Sequence, residues 1–287
     1  DGAEEVREDK KTLINASVLG LIFEKINGYK DGSVFTPGFI TMYMSREAMR
    51  RAVVQKFNAK YNWKAANIGE LKNYLADRNS SREKLEFNAV INALRICDPA
   101  VGSGHFLVSA LNEIILIKYE LGLLVDDQGA RLSDYEVTLE NDELIVTDEN
   151  GKIFEYNPLK KESCRIQKTM FHEKQTIIEN CLFGVDINPN SVNICRLRLW
   201  IELLKNAYYK APDFTELETL PNIDINIKCG NSLISRYPLD ADIKNALRNS
   251  KWNVNGYSLA VMAYRNAKSK DDKKAMEKLI EEIKSNF

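Results

Sequence analysis

The sequence predicts an α/β protein built on a parallel, doubly wound sheet, of which the first half is present. Three observations predict it. The stretch Leu94-Arg95-Ile96-Cys97 reads as a short strand that ends at Asp98-Pro99 and passes through Val101-Gly102-Ser103-Gly104 into a helix over residues 106 to about 121. A second strand, Cys181-Leu182-Phe183-Gly184-Val185, ends at Asp186 and is followed by a helix that Asn188 and Pro189 begin. A third, from Ile223 to Lys228, runs into Cys229-Gly230-Asn231-Ser232.

Each element has its own reason. The first region, 1–92, reads as helical: Ile14, Val18, Leu21 and Ile22 share one helical face, and Asn27-Gly28 offers a stop. Thr36 is placed to cap a helix whose first residue is Pro37, where a proline loses no hydrogen bond, and Ser45 to open another. In the core, 93–235, Leu107, Ala110, Leu111, Ile114 and Leu121 form the apolar stripe of the first helix, and Val192, Cys195, Leu199 and Leu203 that of the second. Between them an insertion of about 122–175 alternates in the manner of strands over 135–139 and 144–147, with Asn150-Gly151 as a hairpin turn before Ile153. The last region, 236–287, is polar and helical; Met276, Leu279, Ile280, Ile283 and Phe287 make a stripe expected to pack on its own domain.

Composition narrows the function. The 287 residues carry 40 basic and 41 acidic side chains, a net charge of −1, whereas a free-standing nucleic-acid binder shows a basic excess. The hydrophobic content of 44% supports a proper core. The five cysteines form no C-x-x-C pair, and with His105 and His172 as the two histidines no zinc set is expected. Cys97, Cys181 and Cys229 are expected as buried, reduced thiols, which suits a cytosolic setting. No apolar run spans a membrane and no signal peptide is seen. A start at Asp1 without methionine and an end at Phe287 inside a helical pattern suggest a piece of a longer protein.

Three places carry chemistry, each at the carboxyl end of a strand, where open α/β sheets bind ligands. The loop from Asp98 to Gly104 has glycines that permit positive φ and close approach of a ligand to the backbone. Leu107 stands where the dinucleotide pattern needs its third glycine, and no G-x-x-x-x-G-K-[ST] occurs. Asp98 would repel a pyrophosphate but suits a ligand bearing an ammonium and a sulfonium, such as S-adenosylmethionine. The competing reading is a solvated turn with a capping aspartate. Asp186 can accept from both hydroxyls of a ribose. The side-chain oxygen of Asn231 can meet an adenine amino group, or the residue can simply shape a turn.

Phe35-Thr36-Pro37, Asp98-Pro99-Ala100-Val101-Gly102-Ser103-Gly104-His105-Phe106-Leu107, Phe183-Gly184-Val185-Asp186-Ile187-Asn188-Pro189 and Gly230-Asn231-Ser232-Leu233 follow in this order. Together they resemble the N6-adenine DNA methyltransferases of the gamma motif order, of the kind fused into type IIG restriction–modification enzymes. The resemblance implies a Rossmann-like S-adenosylmethionine-dependent methyltransferase fold. It places Phe35, Thr36 and Pro37 at the methionine end of the cofactor. Asp98, Pro99, Ala100, Gly102, Gly104 and Phe106 form the loop under methionine and ribose. Asp186 falls on the ribose, Ile187 on the adenine face, and Asn231, Ser232 and Leu233 at the adenine edge. Val101 departs mildly from the family's usual Cys or Thr.

One absence weighs more. The family's Asn-Pro-Pro-Tyr motif, which holds the flipped target adenine, has no counterpart, since the chain has no Pro-Pro pair. No catalytic residue is therefore assigned, His105 included, which is expected to cap or pack at its helix start. The implied role is the donor-binding part of a DNA adenine methyltransferase, inactive by itself, with double-stranded DNA held by a recognition domain outside the chain. Methylation of RNA or protein, and a non-catalytic scaffold of the same fold, are the alternatives. Arg46, Arg50, Arg51, Lys56 and Lys60 are expected on a solvated helix face rather than on DNA.

Overall fold

The computed structural model describes residues 16–31, 35–78, 80–132, 134–210, 215–218, 220–234, 253–267 and 269–285. It is a mixed α/β fold. Helices α1 (Ala16–Asp31), α2 (Gly38–Tyr61), α3 (Ile68–Leu75) and α4 (Ser81–Asn92) precede strand β1 (Ile96–Asp98) and helix α5 (His105–Glu120). A hairpin of β2 (Tyr135–Glu140) and β3 (Glu143–Asp148) follows, then α6 (Lys161–Asn180), β4 (Leu182–Asp186), α7 (Pro189–Leu204) and β5 (Ile227–Cys229). Helices α8 (Val254–Arg265) and α9 (Lys270–Ser285) come last.

The central sheet is parallel, in the order β1-β4-β5, with Cys97 beside Phe183 and Val185 beside Lys228. Helix α5 packs between α2 and the sheet and buries polar residues (Ser109, Asn112, Glu113 and Lys118) beside its apolar stripe. Leu107, Leu111, Ile114 and Ile115 are fully buried there with Val53 and Phe57 of α2. Helices α2, α3 and α4 and the sheet thus share one continuous core. A smaller cluster joins Ala260 and Tyr264 of α8 to Ile280 and Ile283 of α9, with Met276, Leu279 and Ile225 against it, so the tail stripe packs on its own chain. Asp224 ties this unit down, accepting from Tyr264 at 3.0 Å and Lys273 at 2.7 Å.

Several expectations are corrected. Helix α2 runs unbroken through Ser45, which is buried on its inner face, and its N-cap is Pro37 rather than Thr36. The extended backbone of Pro37 (ψ 142°) leaves its carbonyl to accept the Ile40 and Thr41 N–H groups. Helix α1 continues through Asn27-Gly28 to Asp31. Its Leu21 and Ile22 are about half exposed, while Gly20 and Glu24 are buried; Ile14 lies outside the described residues. Strand β5 begins at Ile227, because Asn226 donates at 2.9 Å to the carbonyls of Ile178, Glu179 and Leu182 and pins residues 223–226 as a turn. Cys97 and Cys229 are exposed, since β1 and β5 are the outer strands of the three, whereas Cys181 is buried. Phe287 lies outside the described residues.

The insertion is only half a β appendage. Its hairpin turns at Asn141-Asp142, both at positive φ (50° and 65°), and Gly151 (φ 74°) closes the next turn, after which Ile153 makes a single bridge to Thr147. From Lys161 the chain is helical, and α6 buries Ile166, Met170, Phe171, Ile177 and Ile178 in the main core.

Candidate functional site

The carboxyl ends of β1 and β4 build a cleft of about 400 Å³. After β1 the chain turns at Val101, whose N–H donates to the Val185 carbonyl at 2.9 Å, fastening the loop to the neighbouring strand. Gly102 (φ 53°) and Gly104 (φ 86°) occupy the left-handed region, where other residues carry a cost of about 1–2 kcal/mol. A β-carbon on Gly102 would stand 3.2 Å from the Phe35 ring, and one on Gly104 would stand 2.7 Å from Cys195 Sγ of α7. The first glycine therefore opens the cleft to Phe35, and the second lets α5 start hard against α7. Burial pushes the Cys195 thiol up to about 12, so it is an inert packing group.

Asp186 closes the other side. Its Oδ2 accepts the Gly102 N–H at 2.8 Å and its Oδ1 the Asn188 N–H at 2.8 Å. The carboxylate thus holds both the glycine loop and the start of α7, where Asn188 caps through its own side chain and Pro189 is the first helical residue. Burial first, and then the neighbouring Asp186 carboxylate, raises the Asp98 carboxyl above its usual range against the pull of the Ala100 N–H, which it accepts at 3.0 Å.

The structure brings Phe35, Thr36, Ala100, Gly102, Phe106, Asp186 and Ile187 together on the cleft, Ile187 being 72% exposed overall. Asp98 and Pro99 line an adjoining apolar groove of about 280 Å³, which shares Phe106 with the cleft and is otherwise walled by α2, α5 and β1. Pro37 and Gly104 stand behind the lining as helix-start residues. Asn231 accepts the Leu233 N–H at 2.9 Å, forming a local turn, and Asn231, Ser232 and Leu233 are exposed and are not among the residues lining the cleft.

Sequence reasoning missed Glu24 and Thr41, which also line the cleft, and gave His105 only a packing role. Beneath the loop lies the buried guanidinium of Arg198, which donates to the Ser103 carbonyl at 3.1 Å, to Ser103 Oγ at 3.2 Å and to His105 Nδ1 at 3.3 Å. Ser103 Oγ donates in turn to Glu24 at 2.6 Å. A β-carbon on Gly20 would stand 2.6 Å from Arg198 Nη1, so this glycine, one turn before Glu24, is what lets α1 dock. Arg50 is drawn inward: its guanidinium forks onto Glu120 at 2.7 and 2.8 Å and reaches Glu113 at 2.7 Å.

The family described as MmeI, DNA-methyltransferase domain, matches residues 75–286. The chain belongs to this family. Within the matched span of this MmeI-type methyltransferase domain lie the glycine loop, Asp186 and Asn231, while Glu24, Phe35, Thr36 and Thr41 precede it. A protein of Methanocaldococcus jannaschii, named as a type II restriction enzyme and methyltransferase (RM.MjaORFECS2P), is 32% identical over 248 residues. That alignment takes in 82% of this chain but 17% of the relative, so the chain spans about a sixth of the relative's length. Among the described residues no helix is long and apolar enough to cross a membrane, and no group of three or more His, Cys, Asp or Glu side chains is placed to hold a metal ion.

Proposed function

We propose that the domain binds S-adenosylmethionine in the cleft between β1 and β4 and presents its methyl group for transfer to adenine N6 in DNA, as part of a larger restriction–modification protein. The observation that carries the reading is the joint between the Gly102 N–H and Asp186, which sets a positive-φ glycine loop and a strand-end carboxylate on one wall of a single cleft. Its volume of about 400 Å³ falls within the ~300–1,000 Å³ of small-molecule sites. The cofactor supplies a methyl group activated on a sulfonium; the protein's task is to hold and aim it. Phe35 and Ile187 offer apolar faces, and each Asp186 oxygen, already accepting one N–H, keeps a further lone pair for a ribose hydroxyl. Asp98 lends negative charge from the adjoining groove, and the side-chain amide of Asn231 is proposed to meet the adenine edge.

On this reading the sheet is the first part of a Rossmann-like methyltransferase fold, whose order β1-β4-β5 places the glycine strand at the margin of the described sheet. Double-stranded DNA is the substrate, gripped by parts of the parent protein outside this chain, and the free cysteines suit a reducing, cytosolic location. Calorimetric titration with S-adenosylmethionine and S-adenosylhomocysteine tests the binding step, with Asp186→Asn beside the wild type. Saturable binding of both ligands, weakened about tenfold or more in the variant, is expected. A folded chain that binds neither at millimolar concentration refutes the reading. For the acceptor, mass spectrometry of DNA treated with the full-length parent should find N6-methyladenine; methylcytosine alone would refute that part.

A further inference from the structure

Glu24 and His105 meet on the wall of the cleft, and their geometry specifies a ligand group. Glu24 is a hydrogen-bond acceptor, already accepting from Ser103 Oγ, and it is 9% exposed. His105 is 8% exposed and stands at the first position of α5, where the positive end of a helix favours an anion. The guanidinium of Arg198 has only donors, so its contact at 3.3 Å makes His105 Nδ1 the acceptor and leaves the proton on Nε2. That Nε2–H lies 2.8 Å from Glu24 Oε1 but out of line with it, and it has no hydrogen-bond partner among the described residues. A buried donor without an aligned acceptor costs about 1–3 kcal/mol, and here it borders a cleft.

An acceptor carboxylate and an N–H donor side by side complement a carbon that bears both an ammonium and a carboxylate. We propose that Glu24 and His105 form the pocket for the α-amino-acid head of the cofactor, Glu24 taking the ammonium and His105 Nε2 the carboxylate. The proposal rests on the reading that this cleft takes S-adenosylmethionine. Arg198 acts as a positioning residue: it fixes the tautomer of His105, offsets the charge of Glu24 and, through the close approach of Gly20, seats α1 on the loop. The N-terminal helix thereby becomes part of the binding site, from outside the span that the methyltransferase-domain family matches.

The test is a ligand series titrated into wild type, Glu24→Gln and His105→Phe: S-adenosylmethionine, S-adenosylhomocysteine, decarboxylated S-adenosylmethionine and 5′-methylthioadenosine. Glu24→Gln should weaken the first three about 10- to 100-fold, as expected for a lost charged hydrogen bond, and leave 5′-methylthioadenosine, which has no amino-acid head, within twofold. His105→Phe should weaken the two ligands that carry a carboxylate and spare the decarboxylated one. Binding of 5′-methylthioadenosine also reports that each variant is folded around an intact nucleoside site. Equal losses for all four ligands would assign the pair to docking of α1 and overturn the proposal, as would no loss at all. If the wild type binds none of the four, the cofactor reading itself fails, and this inference with it.

Discussion

Neutralising Asp142 should stabilise the domain above pH 6 and leave it unchanged near pH 4. Asp142 is the second residue of the β2–β3 turn, and its side chain points back onto α5. Its Oδ2 accepts Ser109 Oγ at 2.8 Å and its backbone carbonyl accepts Asn112 Nδ2 at 2.6 Å, while Oδ1 is buried without a partner. Burial raises its carboxyl from 3.8 to about 6; the Ser109 hydroxyl, Arg198 and Asn112 pull the other way, and Glu202 adds to the rise. In the unfolded chain the proton leaves near 3.8, and in the folded one near 6. Between these values the folded state binds more protons, so stability falls as pH rises through that window and stays lower above it. At about 1.4 kcal/mol per tenfold change in proton affinity, the loss is about 3 kcal/mol at neutral pH. Asn tolerates the same left-handed backbone and still accepts from Ser109. Because Arg198 loses a counter-charge, the net gain of Asp142→Asn should be about 1–3 kcal/mol. Urea unfolding followed by circular dichroism at pH 4, 5, 6 and 7 measures it. A difference between the two proteins that stays constant across that range would show that Asp142 does not titrate as the buried geometry requires.

Gly104→Ala combines a φ of 86° with a β-carbon 2.7 Å from Cys195 Sγ, and should cost about 2–4 kcal/mol; adding Cys195→Ala should recover the steric part and leave about 1–2 kcal/mol, read from denaturant midpoints. Lys118 is fully buried, paired with Glu173 and donating to Asn92 at 2.6 Å, while Glu173 also accepts from Asn88 at 2.6 Å. Glu173→Gln strands the ammonium and should lower thermal stability by about 3–5 kcal/mol, whereas the double change Lys118→Met with Glu173→Leu should cost clearly less.

The parts of the site legible in the sequence are those where chemistry forces a rare local pattern. Two glycines at positive φ within three residues, directly after a strand, leave a mark that few other structures need, and Asp186 followed by Asn188-Pro189 marks a strand end and a helix start at once. Glu24 leaves no such mark. On α1 the apolar residues Leu21, Ile22 and Ile26 suggest the buried face, yet they are about half exposed, because Gly20 allows the opposite face to approach Arg198. A hydrophobic stripe cannot reveal a helix seated through a glycine and a carboxylate. Helix α6 was hidden for a related reason: between its apolar residues it buries Gln167, Thr169, Glu173 and Lys174, all of which look like solvent residues in sequence. The partners of Glu173, Lys174 and Gln167, namely Lys118, Glu202 and the carbonyl of Ala207, are supplied by other segments, while Thr169 donates to the Arg165 carbonyl of its own helix.

On the proposed reading, Asp186 contributes more to binding than its hydrogen bonds to the ligand. Asp186 accepts the glycine loop's Gly102 N–H beside the backbone bond from Val101 to Val185, and the same carboxylate accepts the N–H of Asn188, the N-cap of α7. A ligand hydroxyl that bonds to Asp186 therefore joins a carboxylate already held from two sides, so little side-chain freedom remains to be lost on binding. The cost of that preorganisation is borne by the fold, which buries Val101 against Gly184 so tightly that a β-carbon there would stand 2.8 Å from Val101 Cγ2. Loop, strand end and helix start are consequently joined through one carboxylate, so on the proposed reading a substitution at Asp186 alters loop geometry as well as affinity. Asn retains an acceptor for one of the two N–H groups while removing the charge, and for that reason separates the two effects better than Ala does.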